Sequence, residues 1–324
     1  MVQLLPSNPI APAFEKILEK LADGGQIAIP TETVYGLAAD ATNGLAIAGI
    51  FERKGRPKFN PLICHVSDIA MAKKYGELDA LAVKLCEEFW PGPLTIIVPE
   101  LENSDMHELV TAGLGTIGLR CPDSLSRQLI GKFGKPLAAP SANKSGGISP
   151  TTAAHVAAEY EGEDLLVLDG GPCVVGLEST IVAIDNGTIT MLRPGAITAE
   201  MISKVTGVEM LSYEANGKIL APGMMKSHYA PNARVTLDVT SPDADCGYLG
   251  FGATSPKNNK TINLSAKNNL AEAAANLYAS LKALDEMGVD TICVHPIPQE
   301  GLGIAINDRL MRAAAPRAKA IEEE

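Results

Sequence analysis

Three stretches of this chain concentrate side chains of the kinds that bind and activate small molecules. The first is Pro30-Thr31-Glu32-Thr33-Val34-Tyr35-Gly36-Leu37, directly after the apolar run Ile27–Ile29. Three hydroxyls and a carboxylate crowd together where a buried strand would end. A core disfavours such a cluster, because every buried hydroxyl must find a partner. A ligand site has a use for it. The second is Lys54-Gly55-Arg56-Pro57-Lys58-Phe59-Asn60-Pro61-Leu62, with three cations and an Asn in seven residues. Cations in the last turn of a helix are ordinary partners of its dipole. That does not explain why they continue through a loop stiffened by two prolines and a glycine. An arginine fork beside a lysine point charge suits a polyphosphate. The third runs from Pro140 through Ser141, Asn143, Ser145 and Ser149 to Thr151. It leaves a strand and feeds a helix N-terminus, where backbone N–H groups bind anions. The bland alternative for it, taken alone, is a flexible surface loop.

Single residues at expected strand ends extend the set. His65 lies in an apolar strand, Arg120 ends another, Ser179 and Thr180 open a third, and Arg193 precedes Pro194-Gly195. Arg56, Arg120 and Arg193 each sit at an element boundary, as the walls of a cleft at strand ends do. The chain shows no Ser-His-Asp arrangement, H-x-x-E-H, C-x-x-C or phosphate-binding G-x-x-x-x-G-K-[ST]. Gly113-Leu114-Gly115-Thr116-Ile117-Gly118 fits G-x-G-x-x-G, but a strand follows it instead of a helix, so the dinucleotide reading fails. A site made of cations, hydroxyls and amides holds anions and orients reactants. It works by positioning and charge stabilisation.

The elements that must carry these residues alternate. Strands are expected at 26–30, 62–66, 94–98, 116–120, 137–140, 165–169, 179–184 and 189–192. Helices are expected at 14–22, 44–53, 78–89, 124–133, 151–159 and 199–205. Ser149-Pro150-Thr151 offers a Ser cap with Pro at the first helical position, and Thr198 caps the helix after it. From about Tyr213 to Ala233 the periodicity fails, and Pro222-Gly223 and Pro231 mark a linker. A smaller alternation follows, with strands at 234–239, 246–251, 261–264 and 291–295 and helices at 269–287 and 302–315. The expected organisation is an α/β domain over 1–211, a linker or lid over 212–233 and a small Rossmann-like α/β domain over 234–324. Glu322 to Glu324 reads as a frayed acidic end.

Composition bounds the function. With 46% hydrophobic but only 4% aromatic residues, the cores must be aliphatic. The net charge of −11 disfavours a protein that coats nucleic acid. The six cysteines are scattered, as buried thiols of a reducing compartment are. No apolar run is long enough to span a bilayer. Met1 to Pro12 lacks a basic segment followed by an apolar one, so no secretory signal is expected.

Taken in order, the motifs resemble the YrdC-like threonylcarbamoyl-AMP synthases. The resemblance rests on P-T-E-T-V-Y-G-L, K-G-R-P-x-x-N-P-L, W-P-G-P-L-T at 90–95, G-x-R at 118–120, P-S-A-N-x-S-G-x-x-S-P-T and G-L-E-S-T-I-V at 176–182. P-G-M and H-Y-A-P in the linker and G-L-G-x-A-I-x-D-R-L at 301–310 mark the long, two-domain form. The resemblance implies a twisted α/β sheet around a deep positive cleft. It implies that L-threonine, bicarbonate and ATP, with Mg²⁺, give threonylcarbamoyl-adenylate, pyrophosphate and water. A downstream transferase complex then modifies the tRNA adenosine beside the anticodon, with no stable tRNA binding by this chain and a cytoplasmic location. By the same resemblance Thr33, Tyr35, His65, Arg120, Ser141 and Ser179 face threonine and bicarbonate, with Arg120 on the threonine carboxylate. Lys54, Arg56, Asn60, Thr116, Asn143, Thr151, Arg193 and Tyr229 hold ATP, with Tyr229 reaching from the linker. Lys54, Arg56 and Ser141 carry the catalysis. Thr31 is a further lining residue, and Glu32 either caps backbone N–H groups or helps hold the metal. Met225-Lys226-Ser227 departs from the more basic family linker, which weakens linker contact with phosphate. The alternatives are a carbamoyltransferase of the same fold and an RNA-binding module.

Overall fold

The computed structural model describes residues 1–7, 10–213, 220–225, 227–253 and 260–316. The chain divides into two compact units, Met1–Ser145 with Ser149–Met224, and Met225–Glu324 with Gly146–Ile148. The expectations for Lys226 and for Glu322 to Glu324 fall outside the described residues, as does part of the expected linker.

The first unit holds strands β1 Gln3–Pro6, β2 Ile27–Ile29, β3 Gly36–Asp40, β4 Ile63–His65, β5 Leu94–Pro99, β6 Thr116–Arg120, β7 Leu137–Ala138, β8 Leu166–Asp169, β9 Thr180–Asp185, β10 Thr188–Arg193 and β11 Met210–Ser212. Its helices are α1 Ile10–Ala22, α2 Gly44–Lys54, α3 Ile69–Ala72, α4 Ala80–Phe89, α5 Glu108–Thr111, α6 Leu125–Phe133, α7 Ala153–Glu159 and α8 Ala199–Thr206. The strands form one mixed sheet in the order β1-β8-β2-β3-β7-β4-β6-β5-β9-β10-β11. Its core is aliphatic, as the composition requires, with Ile17, Leu21, Ile27, Leu37, Ile47 and Leu94 among side chains sealed from solvent. Each such burial contributes roughly 1.5–3 kcal/mol.

The sheet is what brings distant motifs together. β4 and β6 run parallel with His65 opposite Arg120. β5 runs parallel to β9 with Leu94 opposite Thr180. β2 turns back into β3 with Ile29 opposite Gly36, and Gly36 bridges to Ser141 just past β7. The strand β3 is a finding the sequence reading lacked, because Gly-Leu-Ala-Ala-Asp shows neither alternation nor β-branched residues.

Helix ends aim the cations. α2 starts at Asn43, whose side chain accepts from the N–H groups of Leu45 and Ala46. It stops at Gly55, which adopts the left-handed φ of 61° that a residue without a Cβ takes at little cost. That stop leaves Lys54 in the buried last turn and turns the chain toward Arg56. Thr198 caps α8 as expected, accepting from the Met201 N–H. The expected Ser149 cap is corrected. α7 is capped by Thr152, which accepts from the His155 N–H. Ser149 instead donates to the Glu178 carboxylate at 2.6 Å, and Pro150 accepts from the Tyr35 N–H.

The second unit holds β12 Arg234–Thr236, β13 Gly247–Gly250, β14 Thr261–Asn263 and β15 Thr291–Val294, with α9 Leu270–Glu286 and α10 Leu302–Ala314. All pairings in its sheet, ordered β12-β15-β13-β14, are parallel. All six cysteines of the chain are buried and free.

Candidate functional site

The first motif folds into a turn that satisfies part of its own polarity. Thr31 Oγ1 accepts from the N–H groups of Thr33 and Val34 and donates to the Val34 carbonyl at 2.6 Å. This local hydroxyl-to-backbone bonding is what Thr offers in turns. Thr33 Oγ1 lies 2.8 Å from Thr31 Oγ1, and Thr33 is sealed from solvent. The Tyr35 hydroxyl donates to the Gly171 carbonyl at 2.8 Å and accepts from the Gly170 N–H. Burial pushes that phenol well above its ordinary range. Tyr35 therefore ties the turn to the end of β8 through its ring, with its hydroxyl already engaged.

Lys54 reaches into the third motif. Its ammonium donates to the Ser141 carbonyl at 2.6 Å and to the Asn143 carbonyl. The Lys54 carbonyl in turn accepts from the Ser145 N–H. Burial first, and the neighbouring Arg56 charge second, push this lysine well below the ordinary range. Arg56 is folded onto its own loop, donating to the Asn60 carbonyl at 3.2 Å and the Pro61 carbonyl at 2.8 Å. Asn60 and Asn143 are both about fully buried, at 1% exposure.

Arg120 sits in a different environment. Its Nη2 lies 2.7 Å from Glu32 Oε1, a buried ion pair that meets out of hydrogen-bonding alignment. Its Nε donates to the Gly92 carbonyl at 3.3 Å. The other Glu32 oxygen accepts from the Asp123 N–H at 3.2 Å. Glu32 thus does cap a backbone N–H, and its other oxygen faces Arg120. His65, beside Arg120, has an Nδ1 with no hydrogen-bond partner. Burial first, and the Arg120 charge second, hold its imidazole neutral, pushed down to about 3.

A chain of contacts continues from Arg120. Pro93, next to Gly92, accepts from the Thr180 N–H. Ser179 Oγ lies 2.7 Å from Thr95 Oγ1 and accepts from Arg193 Nη2 at 3.1 Å. Arg193 also donates to the carbonyls of Ser179 and Pro222. Thr95 was missed as a candidate. Its signal was a hydroxyl inside the apolar run of β5, the same signal that marked His65. Half-buried Thr116 lines a separate small cavity of about 10 Å³, with Pro61, Leu62, Ile97, Leu220 and Pro222. Thr151 accepts from the Cys173 N–H through its carbonyl. Tyr229 belongs to the second unit, where its ring packs 5.6 Å from that of Tyr278 and 5.5 Å from the Arg309 guanidinium. It adopts φ 63°, a conformation few side-chain-bearing residues accept. In the same unit the Ala230 N–H donates to the Gly146 carbonyl. Among the described residues, no three or more His, Cys, Asp or Glu gather where they could hold a metal, and no helix is long and apolar enough to cross a membrane.

Fold and site together define a mixed α/β protein whose buried cations and hydroxyls converge from strand ends. A family model covering Sua5, YciO and YrdC proteins, described as telomere recombination, matches residues 19–195. A second, described as threonylcarbamoyl-AMP synthase, C-terminal domain, matches residues 197–315. The chain belongs to this Sua5–YciO–YrdC family. It is 38% identical to the threonylcarbamoyl-AMP synthase of Bacillus subtilis over 94% of both chains. It is 35% identical to that of Pyrococcus abyssi over 92% of both. The crystal structure of P. abyssi Sua5 complexed with L-threonine superposes with a TM-score of 0.88 at 33% identity, covering 97% of each chain.

Proposed function

We propose that this chain is a threonylcarbamoyl-AMP synthase. It joins L-threonine, bicarbonate and ATP into threonylcarbamoyl-adenylate, releasing pyrophosphate and water. The product serves threonylcarbamoylation of the tRNA adenosine beside the anticodon, performed by a downstream transferase complex in the cytoplasm. The single observation that carries this reading is the match of both family models in series, from residue 19 to residue 315. The second of them also favours the synthase over a carbamoyltransferase built on the same first domain.

The chemistry divides between the two kinds of cation. Lys54 and Arg56, held on carbonyls, take the triphosphate, which adds to the counter-charge that Glu159 supplies to Lys54 only in part. Mg²⁺ bound with the ATP would screen the charge of the phosphates that Lys54 and Arg56 hold. Asn60, Thr116, Asn143, Thr151 and Arg193 orient the nucleotide. Arg120 takes the threonine carboxylate, with Thr33, His65, Ser141 and Ser179 around the amine and the carbonate carbon. Tyr35 supports them by holding the turn. The threonine amine attacks carbon dioxide or bicarbonate to give a carbamate. A carbamate oxygen then attacks the α-phosphorus, and pyrophosphate leaves. Neutral His65 adds no second positive charge beside Arg120. The segment 212–233 joins the 1–211 and 234–324 domains, and Tyr229 closes over bound nucleotide, keeping water from the adenylate.

The test is pyrophosphate release from ATP and bicarbonate, with and without L-threonine. Release that requires threonine is expected. Release that ignores threonine overturns the assignment, and tight, salt-sensitive tRNA binding without ATP turnover turns it toward an RNA-binding module.

A further inference from the structure

We infer that Glu32 is a positioning residue, acting on the amino-acid substrate through Arg120. The inference rests on the reading that Arg120 takes the threonine carboxylate. Three observations carry it. First, the Glu32 carboxylate is itself fixed: Oε2 accepts from the Asp123 N–H at 3.2 Å, and the Glu32 carbonyl accepts from the Val175 N–H at 2.8 Å. Its other oxygen is thereby presented to Arg120 at 2.7 Å. Second, both partners are almost sealed from solvent, with side-chain exposures of 4% and 6%. A guanidinium buried to that degree needs a counter-charge before substrate arrives. Third, Arg120 is gripped on two edges only. Nε donates to the Gly92 carbonyl and Nη2 meets Glu32, whereas Nη1 has no hydrogen-bond partner among the described residues.

These contacts act as a jig. Arg carries its five N–H donors in one rigid plane. Two fixed edges set that plane and leave the third for a carboxylate. The Glu32 contact is a charge pairing out of hydrogen-bond alignment, so it orients and neutralises without consuming the fork. A preset fork loses little freedom on binding, which is where positioning residues have their effect. When substrate enters, two carboxylates share one guanidinium. The arrangement accepts a singly charged carboxylate beside Glu32 and gives no reason for a triphosphate to approach there.

The experiment uses the full-length protein and measures pyrophosphate release, varying L-threonine at saturating ATP and then the reverse. Glu32→Gln keeps the side-chain size and an acceptor for the Asp123 N–H. It should raise the KM for threonine about tenfold, the scale of one weakened charged contact, and leave the KM for ATP within about twofold. A urea unfolding midpoint close to that of the unaltered protein excludes a folding defect, and Glu32→Asp, which keeps the charge on a shorter arm, should fall between. On an Arg120→Ala background, Glu32→Gln should change the threonine KM by no more than about twofold. An unchanged threonine KM in Glu32→Gln overturns the inference. So does an equal rise in both KM values, or full additivity with Arg120→Ala. If Arg120→Ala alone leaves the threonine KM unchanged, the site reading falls and the inference with it. If Arg120→Ala raises it and Glu32→Gln does not, the site reading stands and only the inference falls.

Discussion

Lys54 and Arg120 are both buried cations in the same unit, yet their charges are held in opposite ways. Lys54 donates to two backbone carbonyls rather than to a carboxylate, and Glu159 favours its charge but is outweighed by burial and Arg56. Arg120 faces a carboxylate, which cancels its charge. The low pKa of Lys54 records the cost of the first arrangement, since burial and Arg56 both oppose its protonated form. A polyanion relieves that cost and gains most by binding there. The balanced Arg120 region offers a polyanion little, but it can share its guanidinium with a single carboxylate. The contrast supports the proposal that the phosphates meet the Lys54 region and the amino acid the Arg120 region.

The largest expected effect lies in the Lys54 region. Arg56→Ala should lower kcat/KM for ATP roughly 10²–10³-fold, the range seen when one preorganised charge-stabilising donor is removed. Its effect on the KM for threonine should be small. Steady-state kinetics with each substrate varied in turn reads the split, and equal losses for both substrates would break the contrast. The balanced region comes next. Arg120→Ala should raise the KM for threonine about thirtyfold, from the loss of roughly 2 kcal/mol of charge-assisted hydrogen bonding. The KM for ATP should move far less, and isothermal titration of threonine alone gives the same answer without turnover.

The third effect tests charge balance by pH. His65 is held neutral at about 3, below its ordinary 6.5. The unfolded chain therefore binds a proton between these values that the folded protein does not. By linkage, the folded state has this contribution in full above about pH 6.5 and loses it as pH falls toward 3. From pH 6.5 to 5 the loss is about 2 kcal/mol. His65→Asn should unfold in urea with a correspondingly flatter dependence on pH over that interval. A dependence as steep as that of the unaltered protein would mean that His65 is already charged beside Arg120, and the balance argument would fail.

Most strands of the first unit were legible because they are apolar runs ended by Pro, Gly or a lone polar residue, as at Ile27–Ile29 and Thr116–Arg120. The strand Gly36–Asp40 was not, because its small residues earn burial only once β2 and β7 lie on either side. The site shows the same division. Lys54 and Arg56 stood out, since cations that continue from the last turn of a helix into a Pro-rich loop exceed what the helix dipole explains. The role of Glu32 was invisible, because its partners Arg120 and Asp123 are remote in sequence and the sheet alone brings them near. The hydroxyl cluster was read too generously for a related reason. Thr31 satisfies itself within the turn, a geometry that sequence spacing permits but does not specify.

The smallest effect separates scaffold from site in the loop before α7. Ser149 was the expected cap, but Thr152 bonds the first-turn N–H, and Ser149 is committed to Glu178. Thr152→Ala should therefore cost about 1 kcal/mol of stability, the usual loss for a capping hydroxyl. It should leave both KM values unchanged, because the carbonyls that hold Lys54 belong to Ser141 and Asn143, earlier in the loop. Urea denaturation and steady-state kinetics on the same preparation check the two halves. A rise in the KM for ATP would mean that α7 sets the geometry of the Lys54 carbonyls, and the Lys54 charge would then depend on the helix as well as on the loop.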